Sequence, residues 1–297
     1  MASVPPDARI PSSLEMEAAA ARPARRARGW TRSLETAVPA GVLVLVFGAC
    51  FLWPVVYPVP KPIGGNVIDA NLPPLSPGHF LGTGPVGNDI WSRLLYGGRA
   101  SLEIALAVQV IGLLIGGSLG AFAAYWGGKV DPIIMRVFDV LIAFPSLVLA
   151  LAIAQGLGPS KSHTIFALVF FSVPANARVS RAATLRLREQ TFMVAAKLSG
   201  TRTRRVLFRH IAPNIAPQLL TFGLLGMGII IVLEGALSFL GLGIPPPHPS
   251  WGNMIYQGQQ SLSASPRLVL FPSAFLFVAV VAFNLLGDGL RARWNVQ

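Results

Sequence analysis

Only one cysteine, Cys50, occurs in the 297 residues, so no disulfide can close within the chain. Charge is scarce as well. Asp, Glu, Lys and Arg together make 12% of the sequence, about half the share usual in a soluble domain. Acidic residues are the rarest part of that charge, 12 against 24 Lys and Arg. What fills the space is apolar: 53% hydrophobic residues, with several runs approaching the roughly 20 residues needed to cross a bilayer. The composition excludes an ordinary soluble domain. Cys50 lies in the first of the apolar runs and reads as a small packing residue.

Catalytic signatures are also missing. There is no HExxH and no cysteine pair, and His79, His163, His210 and His248 are scattered without metal-ligand spacing. "GTGPVG" fits the dinucleotide-binding expression, but it lies in a Pro-rich loop with no strand before it. "GGSLG" fits a nucleophile elbow, yet it sits inside an apolar helix. "GGK" at 127–129 lacks the first glycine and the Ser/Thr of a P-loop, so the chain has no nucleotide site of that kind. The glycines behind the second match, Gly112, Gly116 and Gly120, fall four apart. They form a helix-packing ladder for close contact.

Apolar runs at 38–57, 100–126, 133–154, 164–177, 215–233 and 268–286 predict six transmembrane helices, the fourth extended through "VSRAAT" with a kink at Pro174. Residues 1–36, rich in Ala, Pro and Arg, read as a disordered basic tail; the first run offers no small-residue cleavage site and stays as a span. Basic residues set the orientation. With both termini cytoplasmic, 19 of the 24 Lys and Arg fall inside, leaving Lys61, Arg93, Arg99, Lys161 and Arg267 outside. That bias accounts for most of the +12 charge without any nucleic acid. Loops 58–98 and 241–267 are placed outside, with Trp91, Trp251 and Tyr256 ordering them at the interface.

Ionisable residues within the spans are few. Arg136 and Asp139 are spaced for a local pair, and Glu103 is close enough to the outer end to reach water. Glu234, with no cation near it in sequence, is open between a translocation-path or gate role, shared with Phe239, and a helix-end packing role.

The centre of the chain breaks the apolar pattern. Nine Lys or Arg occur between positions 178 and 209. Within that stretch Phe192, Ala195, Ala196 and Ser199 recur at i, i+3, i+4 and i+7, giving a helix a narrow, mostly small face. Gly200 permits the turn that ends it. A second basic segment, residues 202–210, follows with Arg204, Arg205, Arg209 and His210, and stops at Pro213 where a new span begins. Adsorption to anionic lipid needs charge but neither a small face nor a glycine hinge. The pattern points to a protein partner on the cytoplasmic side.

"VAAKLSGTRTRRVLFRHIAP" (194–213) resembles the EAA loop of bacterial ABC-importer permeases, with Ala195, Ala196, Gly200 and Pro213 at matching positions and Val194 where the pattern has Glu. "EGALSFLGLGIPPPHPSWGNMI" (234–255) resembles the signature of the C-type subunits of dipeptide, oligopeptide and nickel importers; "GNDIWSRLLYGGRASLEIAL" and "NLLGDGLRARW" resemble further parts of that family. The resemblance spans about residues 37–297. It implies an all-α, polytopic type I permease fold in the bacterial plasma (inner) membrane, with a coupling loop at about 191–213. It also implies partners: a homologous second permease, two ATPase subunits or a fused ATPase, an extracytoplasmic substrate-binding protein, and the membrane lipid around the spans. The chain itself is then non-catalytic and holds no cofactor, ATP and Mg acting in the ATPase subunits. Di- or oligopeptides are the expected cargo, with nickel or another small solute as the alternative. An ion-driven secondary transporter remains a distant rival, because it needs intramembrane carboxylates or broken helices at a midplane site.

Overall fold

The computed structural model describes residues 34–294. All but the last three residues of the basic tail lie outside that range. The described residues are helical, with isolated bridges at Ser76–His79 and Thr83–Asp89 and no strand among them. In chain order the helices are α1 (Leu34–Val56), α2 (Ile90–Trp126), α3 (Val130–Ile142), α4 (Ser146–Leu157), α5 (Lys161–Arg188), α6 (Thr191–Leu198), α7 (Thr203–Phe239), α8 (Trp251–Gln259) and α9 (Arg267–Trp294).

Helices α1, α2, α7 and α9 are each long and apolar enough to cross a bilayer, and α3 with α4 makes a fifth such unit if the pair is counted as one. The pair is not straight. Where the sequence predicts one span over 133–154, the chain bends by 81° between Ile142 and Ser146. Pro145 stands at the break in an extended conformation, with φ −55° and ψ 124°. It has no N–H to continue the helix, and it pushes the residue before it away from helical geometry. The predicted fourth span is an unbroken 28-residue helix, α5, running through Pro174. Its basic second half keeps it outside the set of apolar spans.

Two other boundaries move. Helix α2 begins at Ile90, ten residues earlier than the apolar run, because Asp89 caps it by accepting from Ser92 N at 2.6 Å. Helix α7 does not start afresh at Pro213 but continues from Thr203. The helix passes the proline by widening into a π-helical turn over Val206–Ile211 just before it.

Helices α2, α5, α7 and α9 meet around a core that includes Leu94, Leu102, Leu168, Ile230, Ile231 and Phe283. The closest approach is α2 on α5. A Cβ added at Gly112 would lie 2.0 Å from Ser172 Oγ, one at Gly116 2.2 Å from the Val173 carbonyl oxygen, and one at Gly120 2.1 Å from that of Ala177. No side chain larger than hydrogen fits there. Polar groups bind the same seam: Ser180 Oγ donates to the Gly117 carbonyl at 2.6 Å, and Gln109 Nε2 to Asn176 Oδ1 at 3.2 Å. Lipid tails give helices no hydrophobic reason to associate, so dispersion contact and interhelical hydrogen bonds carry this packing.

Helix α3 is tied to α5 by ion pairs. Arg181 donates to both carboxylate oxygens of Asp131 at 2.6 Å, and Arg178 pairs with Asp139 at 2.7 Å. The predicted Arg136–Asp139 pair is therefore corrected; a partner across the helix interface takes the carboxylate instead. At the other end of the bundle Glu103 is half-buried and paired with Arg99 and Lys161. There the long loop after α1 is ordered by carbonyl clips. Arg93 donates to the Pro62 carbonyl at 3.2 Å and to Gln257 Oε1 at 3.1 Å, and Arg267 to the Leu72 carbonyl at 2.7 Å. Trp251 is no interfacial anchor: it is fully buried and donates through Nε1 to the Leu94 carbonyl at 3.1 Å.

The glycine seam makes a direct expectation. Gly116→Leu lowers the yield of membrane-inserted protein after mild detergent extraction by at least several-fold, whereas Ala107→Leu, one turn outside the seam, leaves it near wild type. Equal yields contradict the close-packing account.

Candidate functional site

The basic, small-residue segment folds as a helix–turn–helix at the end of the bundle opposite the carbonyl-clipped loops. Helix α6 follows α5 after a tight turn in which Met193 N donates to the Gln190 carbonyl at 2.9 Å. It ends at Gly200, whose φ is +67°. Thr201 N donates back to the Ala196 carbonyl at 3.1 Å, the long-range bond of a Schellman cap. Ser199 Oγ also donates to that carbonyl, at 3.0 Å. A side chain at Gly200 would meet nothing within 4 Å, so the requirement there is for backbone conformation alone.

One side of α6 is anchored. Met193 is fully buried, and with Val206, Ile211 and Ile215 of α7, Ala121 of α2 and Ala183 of α5 it forms a small apolar cluster separate from the main core. The opposite side faces out. Ala195 and Ser199 are exposed, Phe192 is 40% exposed, and Ala196 is half-buried at the edge of the same face. Leu198, at 84% exposure, and Phe208, at 71%, add large apolar groups. Arg204, Arg205 and Arg209 are exposed around them, with His210 half-buried and Pro213 exposed at the root of the span. The predicted coupling residues thus come together on one projecting element, its small residues outward and Met193 inward.

Glu234 lies near the C-terminal end of α7. It is fully buried, and its Oε1 accepts from Ser238 Oγ at 2.7 Å while Oε2 has no hydrogen-bond partner. The Ser238 hydroxyl also accepts from Ile244 N at 3.4 Å, and nearby Ser250 caps α8 by accepting from Asn253 N at 3.2 Å. Asn253 Nδ2 donates to the carbonyls of Ile244 and His248, at 3.1 and 2.6 Å. This buried polar node holds the 240–250 loop and α8 onto α7. A side chain with no exposed surface in this chain fits the packing role for Glu234 better than a path-lining one. Phe239, 36% exposed, stacks edge-on against Tyr256 at 6.0 Å, and it is the open member of the two. Among the described residues no cluster of His, Cys, Asp and Glu is arranged to hold a metal ion.

Residues 116–295 match the family described as binding-protein-dependent transport system inner membrane component. The chain belongs to this family. The match contains both the projecting element and the Glu234 node. Among curated relatives, a glutathione transport system permease protein of Pectobacterium atrosepticum is 40% identical over 267 residues, 88% of each chain. A dipeptide transport system permease protein of Alkalihalophilus pseudofirmus is 40% identical over 72% of this chain and 70% of its own length. A putative peptide transport system permease protein of Brucella suis is 42% identical over 72% of each. Among solved structures, a chain from inward-facing forms of the MetNI methionine ABC transporter superposes with a TM-score of 0.57 at 16% identity, covering 68% of this chain and 96% of that one. At that identity the likeness is one of fold. The protein is thus an inner-membrane permease component with the helical fold of an ABC importer.

Sequence reasoning picked out the outward residues of this permease's projecting element but missed its anchors. Met193 and Val206 look like any other apolar residues in the segment. The available signal was phase: at 100° per residue Met193 falls off the small face, on its flank beside Ala196. Met193→Ala is expected to release α6 from the cluster, a loss of about 2–5 kcal/mol of local packing. In inside-out vesicles trypsin then cuts several-fold faster at Arg202, Arg204 and Arg205, while the exposed Phe192→Ala leaves the rate unchanged. Equal rates in the two variants contradict the anchoring role.

Proposed function

We propose that this chain is the membrane permease subunit of an ATP-driven importer of di- or oligopeptides, and that α6 with the start of α7 is the element through which ATPase subunits move it. The observation that carries the reading is the outward small face of α6, held rigidly from behind by Met193 and closed by the Gly200 cap. Peptide cargo is supported by relatives named for glutathione, dipeptide and peptide transport. The chain is one half of the path; a homologous permease supplies the other, a substrate-binding protein delivers the peptide outside, and ATP and Mg act in two ATPase subunits. The chain itself performs no catalysis. Closure of the ATPases on ATP draws the two projecting elements together, and the packed α2–α5–α7 unit rocks as a body to switch access.

The topology proposed with this function is six membrane crossings with both termini cytoplasmic, α5 and the bent α3–α4 pair each counting as one. Its support is the 19-to-5 split of basic residues and the placement of Arg202, Arg204, Arg205 and Arg209 on the exposed end of the bundle. With Cys50 replaced by Ala, single cysteines at Val86 and Ser263 are expected to react with an impermeant maleimide in intact spheroplasts, and one at Ser199 only after lysis. The reverse pattern rejects the orientation.

Coupling is tested by bulk against charge. Gly200→Val strains the left-handed position by about 1–2 kcal/mol, and Ala196→Trp holds a partner surface off the small face. Both proteins are expected to insert and assemble yet to lose most binding-protein-stimulated ATP hydrolysis in reconstituted membranes. Arg204→Gln with Arg205→Gln is expected to keep more than half of it. Full stimulation in both bulky variants contradicts the coupling role, and loss confined to the arginine variant favours lipid adsorption.

A further inference from the structure

At the end of the bundle opposite α6 lies a pocket that the coupling account leaves unused. It opens between the first turns of α2, the start of α5 and the 240–250 loop, with a volume of about 420 Å³, within the range of small-molecule sites. Ile244 and Pro249 give it apolar walls, and Tyr96, Ser160, Lys161 and His248 supply its polar groups. None of its lining residues is acidic. Lys161 is not neutralised one for one. Glu103 accepts from Lys161 Nζ and also from Arg99 Nε at 2.9 Å, so one carboxylate serves two cations and the triad keeps one surplus positive charge. The Lys161 side chain is 45% exposed, and among the described residues the Tyr96 hydroxyl makes no hydrogen bond. The positive end of the α5 dipole, which begins at Lys161, adds to the same potential.

We infer that this pocket receives the terminal carboxylate of an incoming peptide, with Lys161 as its counter-charge and Tyr96 as a neutral donor. The inference rests on the peptide-permease reading above and adds to it a subsite within the permease itself. The apolar walls distinguish a peptidyl carboxylate from a small inorganic anion, because they would bury the adjoining side chain. Lys161 keeps its bond to Glu103 while serving the ligand, since an ammonium carries three donors.

The test uses the complex of both permeases and the ATPase subunits in nanodiscs, with binding protein added only where ATPase stimulation is read. Calorimetric titration without binding protein compares trialanine, its C-terminal amide and phosphate. Trialanine is expected to bind at least about tenfold more tightly than the amide, the scale of one charge-assisted hydrogen bond. Lys161→Gln is expected to abolish that difference, Tyr96→Phe to reduce it, and Lys129→Gln, exposed just past the far end of α2, to preserve it. Equal affinities for acid and amide in the wild type, or phosphate competing as well as trialanine, overturn the inference. So does a Lys161→Gln complex that keeps the preference but responds less to unliganded binding protein, which would make the pocket a contact for an acidic group of that protein. A wild-type complex that holds trialanine selectively, yet whose ATPase no binding protein stimulates, would instead overturn the importer reading and leave the pocket standing.

Discussion

The backbone contact of α2 with α5 is the constraint on which the other packing depends. Three glycines, each four residues from the next, leave α2 without a side chain at those points of the seam, and the Cβ positions they lack would fall about 2 Å from atoms of α5. In lipid such closeness favours association, because it brings more atoms into dispersion contact and lets polar groups bond across the helices. With α5 locked to α2, Arg178 and Arg181 are positioned to hold α3, and the C-terminal end of α5 delivers the chain directly into α6. A motion imposed on α6 therefore acts on a unit that includes α2 and α5.

That arrangement divides the molecule into two ends with different chemistry. The end carrying α6 is rich in exposed arginine and has a small secondary core under it. The other is built from loops clipped to guanidinium groups, from the buried Glu234 node, and from the Arg99–Glu103–Lys161 triad. Glu234 illustrates why a buried carboxyl need not be a transport residue. Its partner is a hydroxyl of its own helix, Ser238, and that hydroxyl in turn accepts from Ile244 N of the following loop.

Much of this was legible in the sequence because bilayer crossing leaves a plain signature. Apolar length predicted α1, α2, α7 and α9, the four-residue glycine spacing predicted the seam, and the small face ending in Gly200 predicted a short helix with a left-handed cap. What was misread depends on long-range partners or on backbone adjustments that apolarity does not encode. The cation spaced in sequence for Asp139 is Arg136, three residues before it, yet its partner Arg178 lies 39 positions away. Pro145 and Pro213 look alike as helix breakers; the first breaks α3 from α4, and the second is absorbed by a π-helical turn. Trp251 matched an interfacial anchor by residue type, but its indole is buried against α2 through a contact formed only in the folded chain.

The central claim is that the outward face of α6 meets an ATPase subunit. A single cysteine at Ser199, in a chain whose Cys50 is replaced, places a reactive group on that face beside the Gly200 cap. Native membranes treated with a short thiol-to-amine cross-linker and analysed by mass spectrometry identify what lies against it. The account predicts a principal adduct with a nucleotide-binding ATPase subunit, lost when Ala196 is also changed to Trp. Adducts formed only with lipid amines, from membranes in which the transport complex is intact, would contradict it.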